Sequence, residues 1–188
     1  MPRIVAFLRA INVGGHVVSM ARLKALFEAQ GLTGVETFIA SGNVLFESRA
    51  TRLDRLAASI SRALAGGLGY PVGVFLRTGA EVAAIAAHPA FPPAQAAGAF
   101  AVHVAFLGAP LSPAARRLVA GFTTPDDAFH VHGREVYWLC RIRTSDSAFS
   151  NARFEKVLGM PATFRNRNTL DRIVAKYGFA AASSRRPG

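Results

Sequence analysis

The sequence predicts an α+β protein built from two tandem βαββαβ units, each an antiparallel sheet with helices on one face. Three observations support this. First, 51% of the residues are hydrophobic and 18% are charged, a balance that demands a packed core and excludes a disordered chain. Second, strand-like and helix-like segments recur in the same order roughly 90 residues apart. Third, the run His88-Pro89-Ala90-Phe91-Pro92-Pro93 separates the two series, and its three prolines suit neither a helix interior nor a central strand. A chain of 188 residues can bury roughly 70% of the surface its unfolded form exposes, enough for one large domain or two small ones.

In the first half, Ile4 to Leu8 is a short apolar run and reads as a strand, followed by the glycine pair Gly14-Gly15. Ser19 stands as an N-cap before Met20, Leu23, Leu26 and Phe27 at helical spacing, with Gly31 as the stop. Val35 to Ala40 and Val44 to Glu47 flank Ser41-Gly42-Asn43 as a hairpin. Leu53, Leu56, Ile60 and Leu64 form an amphipathic stripe that Gly66-Gly67 should end. Val72 to Arg77 then reads as a strand and Glu81 to Ala87 as a short helix.

The second half repeats the order. Phe100 to Leu107 reads as a strand, and Ser112-Pro113 as an N-cap followed by a favoured first helical residue. Ala128 to Val131 and Glu135 to Cys140 flank His132-Gly133-Arg134, a second hairpin. Phe154, Val157 and Leu158 lie on a helix ending at Gly159, Ala162 to Arg165 closes the sheet, and Leu170 to Tyr177 supplies the last helix. The expected organisation is a first unit at 1–90, a Pro/Ala-rich junction at 91–98, a second unit at 99–178 and a flexible tail at 179–188. Each unit is the ferredoxin-like arrangement, and pairing the two covers surface that one small unit leaves open.

The apolar opening is interrupted by Arg9, too early for a signal peptide, and no run approaches the ~20 apolar residues of a membrane helix. The single cysteine, Cys140, permits no internal disulfide and suits a reducing cytoplasm, where the protein is expected, away from membranes. The formal charge is +11, with positive charge almost wholly arginine, so the partners to consider first are anionic small molecules and nucleic acid. The arginines are scattered, and their abundance together with alanine also fits a GC-rich coding sequence. Composition does not set the oligomeric state.

Three ordered segments then stand out: Leu8-Arg9-Ala10-Ile11-Asn12-Val13-Gly14-Gly15, Ser41-Gly42-Asn43-Val44-Leu45-Phe46, and Thr163-Phe164-Arg165-Asn166-Arg167-Asn168-Thr169. Together they resemble a bacterial domain-of-unknown-function family, number 1697, with its LRGINVGG, SGNVxF and TxRNWNT motifs. The resemblance runs from about Ile4 to Tyr177. It implies a duplicated ferredoxin-like fold and no established activity. Three departures are visible. Ala10 replaces a glycine, so the backbone there need not be left-handed. His16 stands where a lysine is frequent, and Arg167 replaces a tryptophan, which removes a stacking side chain.

Each segment has a functional and an architectural reading. The loop with Asn12, Gly14 and Gly15 joins a strand to a helix, so its amides, with Arg9 at the strand end, can take an anion; equally, its glycines serve a tight turn. Ser41 and Asn43 can address a ligand or make a hairpin turn. Arg165 is the first choice for an anion contact, sharing a strand face with Arg167, while Asn166 points to the other face and Asn168 caps the last helix. His130 and His132 share a strand face at a spacing metals use, with Asp126 or Asp127 as the nearest third donor. A polar strand face explains them more simply, and neither metal nor cofactor is expected.

No G-x-S-x-G, H-E-x-x-H, P-loop or dinucleotide fingerprint is present, and the RNA-recognition signature is missing from the central strands. The reading favoured is therefore a protein that binds an anionic ligand, whether phosphorylated metabolite, nucleotide or nucleic acid, in a basic groove between the halves. Its ligand residues would be Arg9, Asn12, Gly14, Gly15, Ser41, Asn43, Arg165 and Asn166. The alternatives are an enzyme acting on a small phosphorylated or nucleotide-like substrate, and a protein interaction module whose motifs are architectural.

Overall fold

A computed structural model describes residues 1–12, 15, 17–39 and 42–182. They form, in chain order, β1 (Arg3–Arg9), α1 (Met20–Glu28), β2 (Thr33–Phe38), β3 (Asn43–Glu47), α2 (Leu53–Leu68), β4 (Gly73–Thr78), α3 (Gly79–Ala87) and α4 (Pro93–Ala97). There follow β5 (Ala101–Leu107), α5 (Pro113–Ala120), β6 (Asp127–His132), β7 (Glu135–Cys140), a single 3₁₀ turn (Thr144–Asp146), α6 (Asn151–Leu158), β8 (Ala162–Asn166) and α7 (Arg167–Tyr177). The fold is α+β, with two four-stranded sheets ordered β2-β3-β1-β4 and β6-β7-β5-β8. Every neighbouring pair is antiparallel. Two compact units result: Met1–Ala84 with the stretch from Ile173 onward, and Ile85–Arg172.

In the first unit, one face of the sheet presents Ile4, Ala6, Leu8, Val44, Phe46 and Leu76 to Leu23 and Phe27 of α1 and to Ile60 and Leu64 of α2. Ser19 caps α1 by accepting the Arg22 N–H at 3.1 Å, as its position predicts. The glycine pair does not end α2. The helix runs through Gly66 and Gly67 to Leu68 and stops at Gly69, whose φ of 82° is the left-handed conformation of a C-terminal cap. Gly67 instead faces α1, where a Cβ would come within 2.4 Å of Leu26 Cδ2. Its smallness sets the approach of the two helices.

Ala10 is a second departure from the sequence reading. Its φ is 65°, so the chain leaves β1 through a left-handed residue although no glycine is present. At the end of β4, Thr78 and Glu81 form a reciprocal cap for α3, with Thr78 N–H donating to Glu81 Oε2 at 2.8 Å and Glu81 N–H to Thr78 Oγ1 at 3.2 Å.

In the second unit, Ala105, Leu107 and Val136 pack with Val119 of α5 and Phe154 of α6. Phe122, Phe149 and Phe154 meet edge-on or tilted, and Phe149 lies 4.4 Å from Trp138 between ring centroids. Asp127 anchors this corner by accepting from Trp138 Nε1 at 2.7 Å and Ser147 Oγ at 2.9 Å. The Pro/Ala-rich stretch is not wholly irregular: Pro93 opens α4 at the first helical position, where its missing N–H costs nothing.

Alternate residues of a strand point to opposite faces. Val5, Phe7, Leu45 and Phe75 in the first sheet, and Val104, Phe106, Tyr137 and Leu139 in the second, are buried too. Ile4 to Leu8 of β1 and Val104 to Leu107 of β5 are therefore dry on both faces, which explains why Ile4 to Leu8 reads as a continuous apolar run. On these second faces an arginine occupies the same register in each sheet: Arg77 opposite Val5, and Arg165 opposite Val104. Each donates Nη1 to the carbonyl of its own preceding residue, Leu76 at 2.8 Å and Phe164 at 2.7 Å.

Two outcomes follow. An alanine in the left-handed region costs roughly 1–2 kcal/mol, partly offset in glycine by chain entropy, so Ala10→Gly should stabilise by roughly 0.5–1 kcal/mol. Denaturant midpoints would register it. His103 on β5 stacks on Trp138 with its Nε2 3.1 Å from Thr144 Oγ1, and burial holds its pKa below the usual 6.5. The unfolded chain then protonates first, so stability is full above about pH 6.5 and falls as pH drops toward the folded value. His103→Gln should flatten part of that fall, measured as denaturant midpoints at about pH 8 and about pH 5.

Candidate functional site

The first two motifs meet at one end of the first sheet. Leu8 N–H donates to Gly42 O at 2.8 Å. Gly42, at φ 74°, is packed so closely that a Cβ would lie 2.7 Å from Ile11 Cγ2. Asn12 Oδ1 accepts the Val18 N–H at 3.0 Å and so closes the loop onto itself, while Tyr70 OH holds Ile11 O at 3.0 Å. Asn43 is fully buried and donates Nδ2 to Phe38 O at 3.0 Å. These two asparagines support the turns around them. Arg9 is half-buried at the end of β1, opposite Gly73. Gly15 has φ 83°. Gly14, Ser41 and His16 lie outside the described residues.

The third motif belongs to the second unit, and there the expected geometry changes. Arg165 is 7% exposed and donates to Thr163 Oγ1 at 2.9 Å as well as to Phe164 O. Burial lowers its pKa to about 10. It does not share a strand face with Arg167, because β8 ends at Asn166 and Arg167 is the first residue of α7. The cap is also two residues earlier than expected. Asn166 Oδ1 accepts the Asn168 N–H at 2.9 Å, whereas Asn168 is exposed in the first turn.

Around this junction lies a cavity of about 480 Å³, lined by Asn166, Arg167, Asn168 and Asp171 from β8 and α7 and by Phe100, Ala101 and Val102 at the start of β5. Phe100 is 61% exposed, an unusual state for a phenylalanine. The cavity thus combines a guanidinium, the positive end of a helix, a carboxylate and an aromatic face. Sequence reasoning assigned Phe100 to the strand and discounted Arg167. The signal available was the aromatic after the Ala96–Ala99 stretch, just ahead of the strand.

Elsewhere in the second unit three imidazoles converge. His130 and His132 alternate along edge strand β6, and His88 follows α3. His88 Nε2 lies 3.2 Å from His130 Nε2, and the His88 ring stacks on His132 with centroids 4.0 Å apart. Burial first, then the neighbouring imidazoles, depress the pKa of His88 and of His130, with Arg167 adding to the effect on His88 and Arg116 to that on His130. Tyr137 sits beside them, its hydroxyl donating to Ile85 O at 3.0 Å and its pKa raised, chiefly by burial. The aspartates once expected near this pair do not reach it: Asp127 is buried and engaged with Trp138 and Ser147. Sequence reading missed His88 because it stands 42 residues from His130 in a segment without periodicity.

Fold and site define an α+β protein of two antiparallel sheets whose polar loops carry asparagine and arginine in place of a recognised catalytic set. A family model described as "Protein of unknown function (DUF1697)" matches residues 1–137, and the chain belongs to that family. The first two motifs fall inside the matched stretch and the third beyond it. Among solved structures, the chain is similar to the conserved bacterial protein SP0830 from Streptococcus pneumoniae. The two are 22% identical with a TM-score of 0.71, over 95% of this chain and 99% of that one. At this identity the likeness concerns the fold. No curated protein matches the chain. Among the described residues, no helix is long and apolar enough to cross a membrane.

The two asparagines of the third motif should separate cleanly on substitution. Asn166→Ala removes a cap and should cost about 1 kcal/mol, whereas Asn168→Ala should change stability by less than about 0.5 kcal/mol. Urea denaturation of the two variants checks the order.

Proposed function

We propose that the chain binds a small anionic ligand, a phosphorylated metabolite or nucleotide, in the cavity at the β8–α7 junction. The observation that carries this reading is Arg167 in the first turn of α7, lining about 480 Å³ of cavity beside the exposed Phe100. The volume falls within the ~300–1,000 Å³ range of small-molecule sites. Arg167, helped by the positive end of α7, would take the anionic group, and Phe100 offers a face to a planar ring. Asp171, on the same wall, would repel a second phosphate but accept hydrogen bonds from hydroxyls, which favours a ligand with one compact anionic end.

In this reading Arg165 holds the sheet and does not meet the ligand, and Asn12, Asn43 and Asn166 serve the loops. The same hydrogen bonds support a second reading, an interaction module with purely architectural motifs. An enzyme acting on a phosphorylated substrate would draw on Asp171 as the carboxylate beside the cavity. We also infer that the chain is a tandem duplication of ferredoxin-like units, with repeats at 1–90 and 99–178. Support comes from the matching strand orders and from Arg77 and Arg165 at equivalent register positions.

Calorimetry with nucleoside monophosphates, phosphosugars and short single-stranded oligonucleotides at two salt concentrations tests the binding reading. A salt-resistant small-molecule signal that Arg167→Ala weakens about 10- to 100-fold supports it, the loss expected for one charge-assisted contact. Binding only of oligonucleotides, vanishing with salt, points to backbone attraction by net charge. Affinity unchanged by Arg167→Ala places the ligand elsewhere, and silence across the panel favours the interaction module.

A further inference from the structure

The three-histidine cluster is unlike the other polar groups of the second unit. The side chains of Asp127, Asn166 and Arg165 are satisfied within the fold, each by a hydrogen bond to a neighbouring residue. The imidazoles of His88, His130 and His132 are instead turned chiefly to one another. Among the described residues they are the group of three metal-ligating side chains, with one ligand nitrogen from each lying within 4.8 Å of the others.

One edge of the cluster has the dimensions of a tetrahedral site, and a turn of the His132 ring would supply the third ligand. Two nitrogens each about 2.0–2.1 Å from zinc are separated by roughly 3.3–3.4 Å in a tetrahedral site. The Nε2 atoms of His88 and His130 stand 3.2 Å apart, already close to that edge. One ring there donates and the other accepts, so the accepting lone pair faces the donor nitrogen, and an ion would enter as both rings turn toward a common point. Moving the donor's proton to its Nδ1 frees the second lone pair, with no net proton released. His132 completes the set from an exposed position, where its ring is free to swing out of the 4.0 Å stack.

We propose that His88, His130 and His132 form a binding site for a divalent transition-metal ion of the zinc class, with a fourth position open to solvent. Three neutral imidazoles leave the ion its full charge. Arg116 and Arg167 add positive field, acting on His130 and His88 respectively, so the fourth ligand favoured is an anion. The proposal shares the field of Arg167 with the cavity at the β8–α7 junction but does not depend on a ligand binding there.

The test uses the untagged full chain, stripped with a chelator and titrated with Zn²⁺ by calorimetry and with Co²⁺ by visible absorption. The expected result is one ion per chain with the intense bands of four-coordinate Co²⁺. His88→Gln, His130→Gln and His132→Gln should each weaken Zn²⁺ binding by about 100-fold or more, while Cys140→Ser binds like the parent. Circular dichroism identifies any variant that fails to fold; the exposed His132→Gln and the parent's own Co²⁺ spectrum decide the matter without the two half-buried positions. The proposal is overturned by no stoichiometric uptake, by a weak six-coordinate Co²⁺ spectrum, by a folded His132→Gln variant that binds like the parent, or by loss of binding in Cys140→Ser.

Discussion

The water-free setting of β1 from Ile4 to Leu8 and of β5 from Val104 to Leu107, on both faces, is the constraint from which the rest of the structure follows. A strand dry on one face alternates apolar and polar residues, whereas one dry on both must be apolar throughout. Every polar group brought into those layers then needs a partner inside the protein. Arg77 and Arg165 meet this by bonding the carbonyls of their own strands, Asn43 by bonding Phe38 O, and Tyr137 by bonding Ile85 O. Chemistry that must reach solvent is pushed to strand ends and sheet edges.

This division sorts the conspicuous polar residues. Asn12, Asn43 and Asn166 each satisfy a backbone group at a turn or helix start, so their side chains are spent on the chain itself. Arg167 and Phe100 line the mouth of a cavity where β8 passes into α7, and His132 stands in water on the edge strand β6. Arg167 lies within the third motif, whereas Phe100 and His132 lie outside all three. A cap is recognised by type, but the group it exposes is set by where the helix begins.

Much of the fold was legible because local chemistry dictated it. The helical spacing of Leu23 and Phe27, the hydroxyl caps at Ser19 and Ser112, and the glycine turn at Gly133 each act within a few residues. The ends of elements were less legible. Gly66-Gly67 looks like a stop, yet the helix runs through it, and Gly67 leaves room for Leu26 of another helix. Ala10 looks like freedom from the left-handed conformation, yet the chain must turn there and alanine bears the strain.

The sequence by itself determined the α+β class, the order of elements in both units, and the family, since these depend on periodicity, caps and short motifs read along the chain. Tertiary structure alone decided which arginine is buried and which lines a cavity, because the change from strand to helix between Asn166 and Arg167 redirects the side chains. It also decided that His88 joins His130 and His132. Distance between side chains depends on how a chain folds back on itself, and spacing along the sequence carries no record of that for residues 42 positions apart.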